Sequence, residues 1–271
     1  PSLLPQKGSD RQPRRDLDTR GPPPHEWTTR AMEPPAHPPR NHRRPGHPAT
    51  FDFDALARRY DQWYDDPRGA AYDRLEKEAL ARLMPSDGRG TELLDVGCGT
   101  GHWTRFFSER GFQVTGIDIS PAMVRVAREK GIPGASFAVA DAHGLPFDDG
   151  RFAVSAVVTT LEFVSRPDVV LGEMVRCTRQ PGGLLLVGTL NARARINRRR
   201  KAAGKPTYRE ARLFSPRELE ALLAPLGRAQ VGAAAWVPQP RWLLPLAPLA
   251  DALGRWLHLP YGALLVGKVE L

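Results

Sequence analysis

The sequence predicts an α/β protein with a doubly wound, seven-stranded sheet and helices on both faces. Three observations lead to this prediction. Short apolar runs alternate with helical patterns from residue 92 onward. The uncharged run of small and β-branched residues at 153–158 is typical of a central parallel strand that is covered on both faces. A glycine-rich turn joins the first strand to a helix within ELLDVGCGTGHWTRFFSERGFQVTGID, residues 92–118.

That turn is the most informative stretch of the chain. Asp95 leads into Gly97, Gly99 and Gly101, and glycine both tolerates positive φ and lets a ligand approach the backbone closely. The second predicted strand, residues 112–117, is followed by Asp118, which lies 21 residues after Gly97. A Rossmann-like unit places there the carboxylate that holds a ribose diol. The pattern therefore predicts a nucleotide site.

The glycine spacing indicates which nucleotide is bound. A dinucleotide fingerprint requires glycine at position 102, where this chain has His102. G-x-G-x-G preceded by Asp95 instead resembles the first motif of class I S-adenosylmethionine-dependent methyltransferases. The resemblance extends from about Tyr60 to Lys268, and it is nearest to the ubiquinone and menaquinone biosynthesis-like branch, the methyltransferase type 11 domain. It implies a mostly parallel sheet with an antiparallel last strand and S-adenosyl-L-methionine as the cofactor.

The resemblance also implies a set of cofactor-binding residues. The glycine turn would carry the amino acid part of the cofactor, Asp118 the ribose, the next residues the adenine ring, and Asp141 the adenine amino group. The alternative role of Ile119 and Met123 is as plain core residues, and the alternative role of Asp141 is in a turn or as a helix cap. The predicted set is Asp95, Gly97, Cys98, Gly99, Gly101, Asp118, Ile119, Met123, Asp141, Ala142 and Thr159.

The residues after the fourth strand are expected to border the reacting methyl group. Ligands of open α/β sheets sit beyond the carboxyl ends of the strands, where the strand order reverses. This places Thr159, Thr160 and Glu162 at the pocket. Glu162 is a candidate base, with helix capping as its alternative, and Phe163 stands where relatives often carry histidine. The catalytic residue is left unassigned, and no metal site is expected.

Residues 51–271 are expected to form one methyltransferase domain that begins with a helical cap, residues 51–84. Within YDQWYDDPRG, Tyr60 and Tyr64 either touch the cofactor or acceptor or only pack the cap on the domain. Helix starts are predicted at Ser120-Pro121 and, as a capping box, at Ser215 to Glu218.

The net charge of +9 is unevenly distributed. Residues 1–50 form a Pro/Arg-rich stretch that is expected to be disordered. Residues 51–192 hold 16 Lys/Arg and 20 Asp/Glu, whereas the basic loop at 191–212 is strongly positive because residues 193–212 hold nine basic residues and one acid. That loop is interpreted as a solvated helix face or as a lid that attracts an anionic substrate, a lipid surface or RNA. A general nucleic-acid-binding face is not expected.

An apolar, proline-rich insert, residues 236–260, precedes the last strand. It would pack on its own domain as a lid, line a pocket for a hydrophobic acceptor, or make a peripheral contact with a membrane. No apolar run reaches the roughly 20 residues of a membrane span, and two cysteines provide no disulfide framework, so a cytoplasmic protein is expected.

The sequence as a whole predicts methyl transfer to a small, partly apolar molecule that is quinone-like, lipid-like or another small acceptor. Three alternatives stay open at this stage. They are an RNA methyltransferase that docks through residues 193–212, a dehydrogenase, and a non-catalytic member of the fold that binds the cofactor. The oligomeric state is left open.

Overall fold

The structure, a computed structural model, describes residues 51–271. The predicted disordered stretch, residues 1–50, lies outside the described residues. Seven strands form one sheet in the order β3-β2-β1-β4-β5-β7-β6, in which only β7 runs antiparallel to its neighbours. This confirms the predicted fold class. The strands are β1 Glu92–Val96, β2 Gln113–Asp118, β3 Ala135–Val139, β4 Val154–Val158, β5 Leu184–Leu190, β6 Arg228–Ala234 and β7 Leu264–Glu270.

Helices cover both faces of the sheet because neighbouring residues of each central strand point to opposite sides. In β1, Leu94 joins a core with Met174 and Leu219, whereas Leu93 joins a second core with Leu80 and Phe107. The helices are α1 Gln62–Asp65, α2 Pro67–Ala81, α3 His102–Ser108, α4 Pro121–Glu129, α5 Pro167–Cys177, α6 Arg195–Ala202, α7 Pro206–Glu210, α8 Pro216–Leu223 and α9 Ala247–Trp256. Thus α5 and α8 cover one face, and α2 and α3 cover the other.

Both predicted helix starts are confirmed. The Ser120 side chain accepts a hydrogen bond from the Met123 amide, and Pro121 is the first residue of α4. At α8, Ser215 and Glu218 exchange the two hydrogen bonds of a capping box. The first of these caps matters for function, because it fixes the turn that follows Asp118.

One element differs from its sequence pattern. The pattern at 228–237 predicts a sixth strand that runs to Val237, but β6 ends at Ala234 because Ala235 has a φ of +65° and Asp251 of α9 accepts the Ala235 amide. The segment 191–212, predicted as a basic loop with a solvated helix face as one interpretation, contains α6 and α7. Buried Asn197 anchors α6 by donating to the carbonyl oxygens of Asn191 and Ala263, which a charge count cannot reveal.

No helix within residues 51–271 combines the length and apolar character that crossing a bilayer would require.

Replacement of a fully buried core aromatic should be costly. Phe152 is 0% exposed, and its ring lies 5.1 Å from that of Phe147. We expect Phe152→Ala to lower the free energy of unfolding by about 3–5 kcal/mol, measured by urea denaturation, because it leaves a cavity. Trp242→Ala, at a side chain that is 78% exposed, is the control and should change it by less than about 0.5 kcal/mol. Equal losses in the two variants would contradict this core assignment.

Candidate cofactor and acceptor site

The glycine turn lies at the carboxyl end of β1, next to β4, where the strand order reverses. The amides of Gly97 and Cys98 both donate to the Ile117 carbonyl oxygen at 2.8 Å. Gly97 and Gly99 have φ values of +72° and +53°, which glycine adopts without strain. A Cβ at Gly97 would collide with the Thr160 side chain, whereas a Cβ at Gly99 would project into open space. The turn is therefore a cradle that only glycine leaves open.

Asp118 joins this turn to the next one. Its Oδ2 accepts the Gly99 amide at 2.9 Å, and its Oδ1 accepts the Ser120 amide at 2.8 Å. Burial raises the pKa of Asp118, and the two amide hydrogen bonds oppose this effect. The carboxylate is thus held rigidly at the rim of a cleft, with lone pairs left for a ligand hydroxyl pair.

A cleft of about 880 Å³, counting its open mouth, lies over the turn. We call it the cofactor cleft. Most of the predicted cofactor residues line it: Gly97, Cys98, Gly99, Asp118, Ile119, Met123, Asp141, Ala142 and Thr159. The residues fit an adenosyl ligand, because the cleft combines an open glycine cradle, a carboxylate at the ribose position and apolar walls. Their contacts with a cofactor stay predictions.

Three of the predicted site residues lie outside the cleft lining. Asp95 is buried and accepts a hydrogen bond from the Thr104 hydroxyl at 2.6 Å, and burial raises its pKa to about 7. It therefore supports α3 beneath the turn. Gly101 precedes α3 in the left-handed conformation, with a φ of +81°.

Glu162 is the third, and its expected place in the pocket is wrong. Its side chain is 1% exposed and lines neither the cofactor cleft nor the cavity beside it. Its Oε1 accepts the Leu190 amide at the end of β5, so it also fails to cap a helix. Burial raises its pKa to about 7. Glu162 holds two strand ends together beneath the site.

The structure distinguishes between the alternative roles that were considered for Asp141, Ile119 and Met123. Asp141 Oδ1 accepts the His143 amide at 2.9 Å and contacts the His143 ring at 2.7 Å, so the turn interpretation applies even though the residue lines the cleft. Ile119 is 44% exposed, which excludes a plain core role. Met123 is 1% exposed and serves the core while it also borders the cleft.

Thr159 sits at a strained point between β4 and the site. Its φ is +51°, an outlier for a β-branched residue, and such strain clusters at functional positions. Its side chain lies beside the Tyr60 hydroxyl, and both residues line the cleft. Burial, followed by the neighbouring Tyr208, raises the pKa of the Tyr60 hydroxyl, so Tyr60 stays protonated at neutral pH.

The N-terminal cap is fastened onto the cofactor turns by carboxylates that sequence reasoning missed. Asp54 accepts hydrogen bonds from the Ser120 hydroxyl and the Ala122 amide at the start of α4. Asp61 accepts the Thr100 hydroxyl at 2.7 Å and pairs with Lys130 at 2.6 Å. No local pattern distinguishes these acids from the other acids of the cap.

His102 provides another fastening point. Its ring stacks on Tyr64, with centroids 3.7 Å apart and planes 3° apart, and its Nε2 lies 2.6 Å from Asp73 Oδ1. In the sequence, His102 showed only that the chain lacks the glycine of a dinucleotide fingerprint at this position. In the structure it stacks on Tyr64, and both rings line the cofactor cleft.

A second cavity, which we call the acceptor cavity, adjoins the cofactor cleft. Its volume is about 1090 Å³, counting its open part. Tyr60, Tyr64, Trp103, Thr159 and Phe163, together with Phe53, line both spaces. The acceptor cavity also holds residues that sequence reasoning did not single out: Trp63, Tyr72, Glu76, Asn197, Arg200 and Tyr208.

Comparison with known proteins agrees with this geometry. The family model described as "Methyltransferase domain" matches residues 94–187. An uncharacterized protein of Methanocaldococcus jannaschii is 30% identical over 177 residues, which cover 65% of this chain and 80% of that protein. The 2-methyl-6-phytyl-1,4-hydroquinone methyltransferase of Synechocystis is 35% identical over 167 residues, 52% of either chain. This chain thus spans about half of that enzyme.

A solved structure supports the fold. A SAM-dependent methyltransferase from Thermotoga maritima superposes with a TM-score of 0.62 at 24% identity, over 80% of this chain and 96% of that one. The matched domain contains the glycine turn, Asp118 and the end of β4. The chain therefore belongs to the class I S-adenosylmethionine-dependent methyltransferases, in their ubiquinone-like branch, and its cofactor is S-adenosylmethionine.

Proposed function

We propose that this protein transfers the methyl group of S-adenosylmethionine to a small, partly apolar molecule bound in the acceptor cavity. The observation that carries the proposal is the junction of the two spaces at Tyr60 and Thr159, beside the carboxyl end of β4. A ligand on the glycine cradle and a second ligand among the aromatic side chains would meet there.

When bound, S-adenosylmethionine supplies an activated methyl group on a positively charged sulfur. The protein's own task is then to align the two ligands and to exclude water. Holding reactants at near-attack distance removes roughly 7–11 kcal/mol of barrier. Tyr60, Tyr64 and Phe163 line the junction from the cap and from the segment after β4, so they would shield it from solvent.

The protonation of Tyr60 and the position of Glu162 limit which kind of acceptor atom can be methylated. The raised pKa of Tyr60 makes it a hydrogen-bond donor at neutral pH, and Glu162 is buried away from both spaces. Neither residue is placed to take a proton from the acceptor. This supports an acceptor atom that is carbanionic, soft or already ionised, such as an activated ring carbon, rather than a neutral hydroxyl or amine.

The relative from Synechocystis, named for a hydroquinone that carries a phytyl chain, supports a quinone-like or lipid-like acceptor for this chain as well. The aromatic lining of the acceptor cavity suits a flat apolar ring.

Loss of the Asp118 carboxylate should weaken cofactor binding. We expect S-adenosylhomocysteine at 100 times its dissociation constant to stabilise the wild-type protein by about 2.7 kcal/mol in a thermal-shift assay. Asp118→Ala should remove this shift because it deletes the ribose contact. Asp168→Ala, at an exposed acid paired with Arg166, is the matched control and should keep it. A normal shift in Asp118→Ala would make the ribose assignment wrong.

The reaction itself is tested with S-adenosylmethionine that carries a labelled methyl group, incubated with a small-metabolite extract and, separately, with RNA. The proposal expects label in an organic-soluble small molecule. Label in RNA would support the docking alternative, and cofactor binding without any transfer would support the non-catalytic one.

We also propose that the apolar insert, residues 236–260, makes a peripheral contact with an anionic bilayer. Trp242, Leu249 and Trp256 are 78%, 68% and 74% exposed, a concentration of bare apolar surface that is typical of an interaction site. A surface cleft that is lined by Trp236 and Ala250 of the insert also contains Arg195 and Arg199 of α6. Aromatic side chains beside arginines match the interfacial and headgroup layers of an anionic membrane.

Vesicle flotation tests this contact. We expect the protein to float with vesicles that contain phosphatidylglycerol and much less with pure phosphatidylcholine. The double variant Trp242→Ala/Trp256→Ala should lose flotation because it removes both interfacial rings. Val139→Ala, at a half-exposed apolar residue on an edge strand, is the control. Equal flotation of the double variant and wild type would refute the contact.

A further inference from the structure

One arginine of the basic segment points into the acceptor cavity. Arg200 is half-buried and lines the cavity, whereas Arg198 on the same helix is exposed. The Arg200 guanidinium carbon lies 4.5 Å from the ring centroid of Trp63, 5.3 Å from that of Tyr72 and 5.1 Å from that of Tyr208. Three aromatic rings thus hold the guanidinium in place inside a cavity with a largely aromatic lining.

This guanidinium has no acidic partner in the part of the chain that the structure describes. Its one hydrogen bond there goes from Nη1 to the Tyr208 hydroxyl, at 2.6 Å. A guanidinium carries five N–H donors in a planar fork that matches a carboxylate. Since the remaining donors of Arg200 border the cavity, they are available to a ligand.

A second, independent feature of the same cavity also lacks a partner. The Asn197 side chain is 0% exposed and lines the acceptor cavity. Its Nδ2 donates to the carbonyl oxygens of Asn191 and Ala263, at 3.0 and 2.7 Å. Its Oδ1 is buried and accepts no hydrogen bond from residues 51–271. A buried acceptor without a donor is costly, so this atom indicates a hydrogen-bond donor on the ligand.

Glu76, the acidic residue among those that line the cavity, does not neutralise the charge of Arg200 at neutral pH. Burial, followed by the charge of Asp73, raises the pKa of Glu76 to about 8. Glu76 is therefore largely protonated at pH 7, and the cavity keeps a net positive charge there. The titratable and charged groups that face Glu76 are Asp73 and Lys77 on its own helix, Arg200 on α6, Glu162 after β4, and the tyrosines Tyr64, Tyr72 and Tyr208. Arg59, an exposed residue of the N-terminal cap, lines the same cavity and adds to its positive charge.

We propose that the acceptor is an aromatic or similarly flat apolar molecule that carries a carboxylate, which Arg200 binds, and a hydrogen-bond donor, which Asn197 Oδ1 accepts. This inference rests on the proposed function of the acceptor cavity and narrows its substrate class. Arg200 is the residue that makes the cavity prefer an anionic acceptor. Because three aromatic rings hold its guanidinium, two of its N–H groups are already oriented to bind the two carboxylate oxygens.

Calorimetric titration tests the proposal on full-length protein saturated with S-adenosylhomocysteine. The probes are benzoate, cinnamate and naphthoate, each paired with its neutral methyl ester, which adds no hydrogen-bond donor for Asn197. We expect the carboxylates that bind to do so at least about tenfold more tightly than their esters, the lower end for a hydrogen bond between charged groups. Arg200→Gln should remove this preference, whereas Arg198→Gln, an exposed neighbour on the same helix, should retain it.

The pH dependence gives a second readout with a defined sign. Above pH 8 Glu76 ionises and offsets the charge of Arg200, so carboxylate binding should weaken as the pH rises through 8. Glu76→Gln, which stays neutral, should bind the same carboxylates with little change over that range.

Two results would overturn the proposal: no carboxylate in the panel binding more tightly than its methyl ester, or a preference that persists in Arg200→Gln. Unaltered binding of S-adenosylhomocysteine by Arg200→Gln is the check that the variant is folded. If the wild-type protein failed to bind S-adenosylhomocysteine at all, the proposed function would fail; cofactor binding without a carboxylate preference would refute only the present inference.

Discussion

The hydrogen bond from the Gly99 amide to Asp118 is the interaction on which the rest of the site depends. It links the turn after β1 to the turn after β2, and the Ser120 amide holds the second carboxylate oxygen. A single side chain thereby sets both the shape of the glycine cradle and the start of α4. Because the carboxylate is fixed by backbone amides, it meets a ligand without having to be ordered first, which lowers the entropic cost of binding.

The N-terminal cap converts this cradle into an enclosed site. Asp54 and Asp61 bind the cap to α4 and to the glycine turn, and the His102 ring stacks on the Tyr64 ring. The cap is thus attached to the same turns that would hold the cofactor. Its aromatic side chains form the boundary between the cofactor cleft and the acceptor cavity, so the geometry of one space constrains the geometry of the other.

Much of the fold was predictable from the sequence, because it is written in local patterns. The uncharged run at β4 identifies a strand covered on both faces, and the Ser120 and Ser215 signals identify helix starts. The early end of β6 was not predictable, because it depends on a contact with Asp251, which is distant in sequence.

The cofactor part of the site was more predictable than the acceptor part, because it depends on local sequence patterns. The glycine spacing and Asp118 indicate a backbone conformation that few sequences can adopt. By contrast, the inward orientation of Arg200 depends on three rings from three other helices, and a charge count treats it like its neighbours. The burial of Glu162 likewise follows from the end of β5, which no motif around Glu162 reveals.

The most direct test of the account is a crystal structure of the protein with S-adenosylhomocysteine. The account predicts that the ribose hydroxyls lie within hydrogen-bond distance of the Asp118 carboxylate and that the homocysteine sulfur faces the junction beside Thr159. A ligand whose ribose lies away from Asp118, or whose sulfur points away from the acceptor cavity, would contradict it.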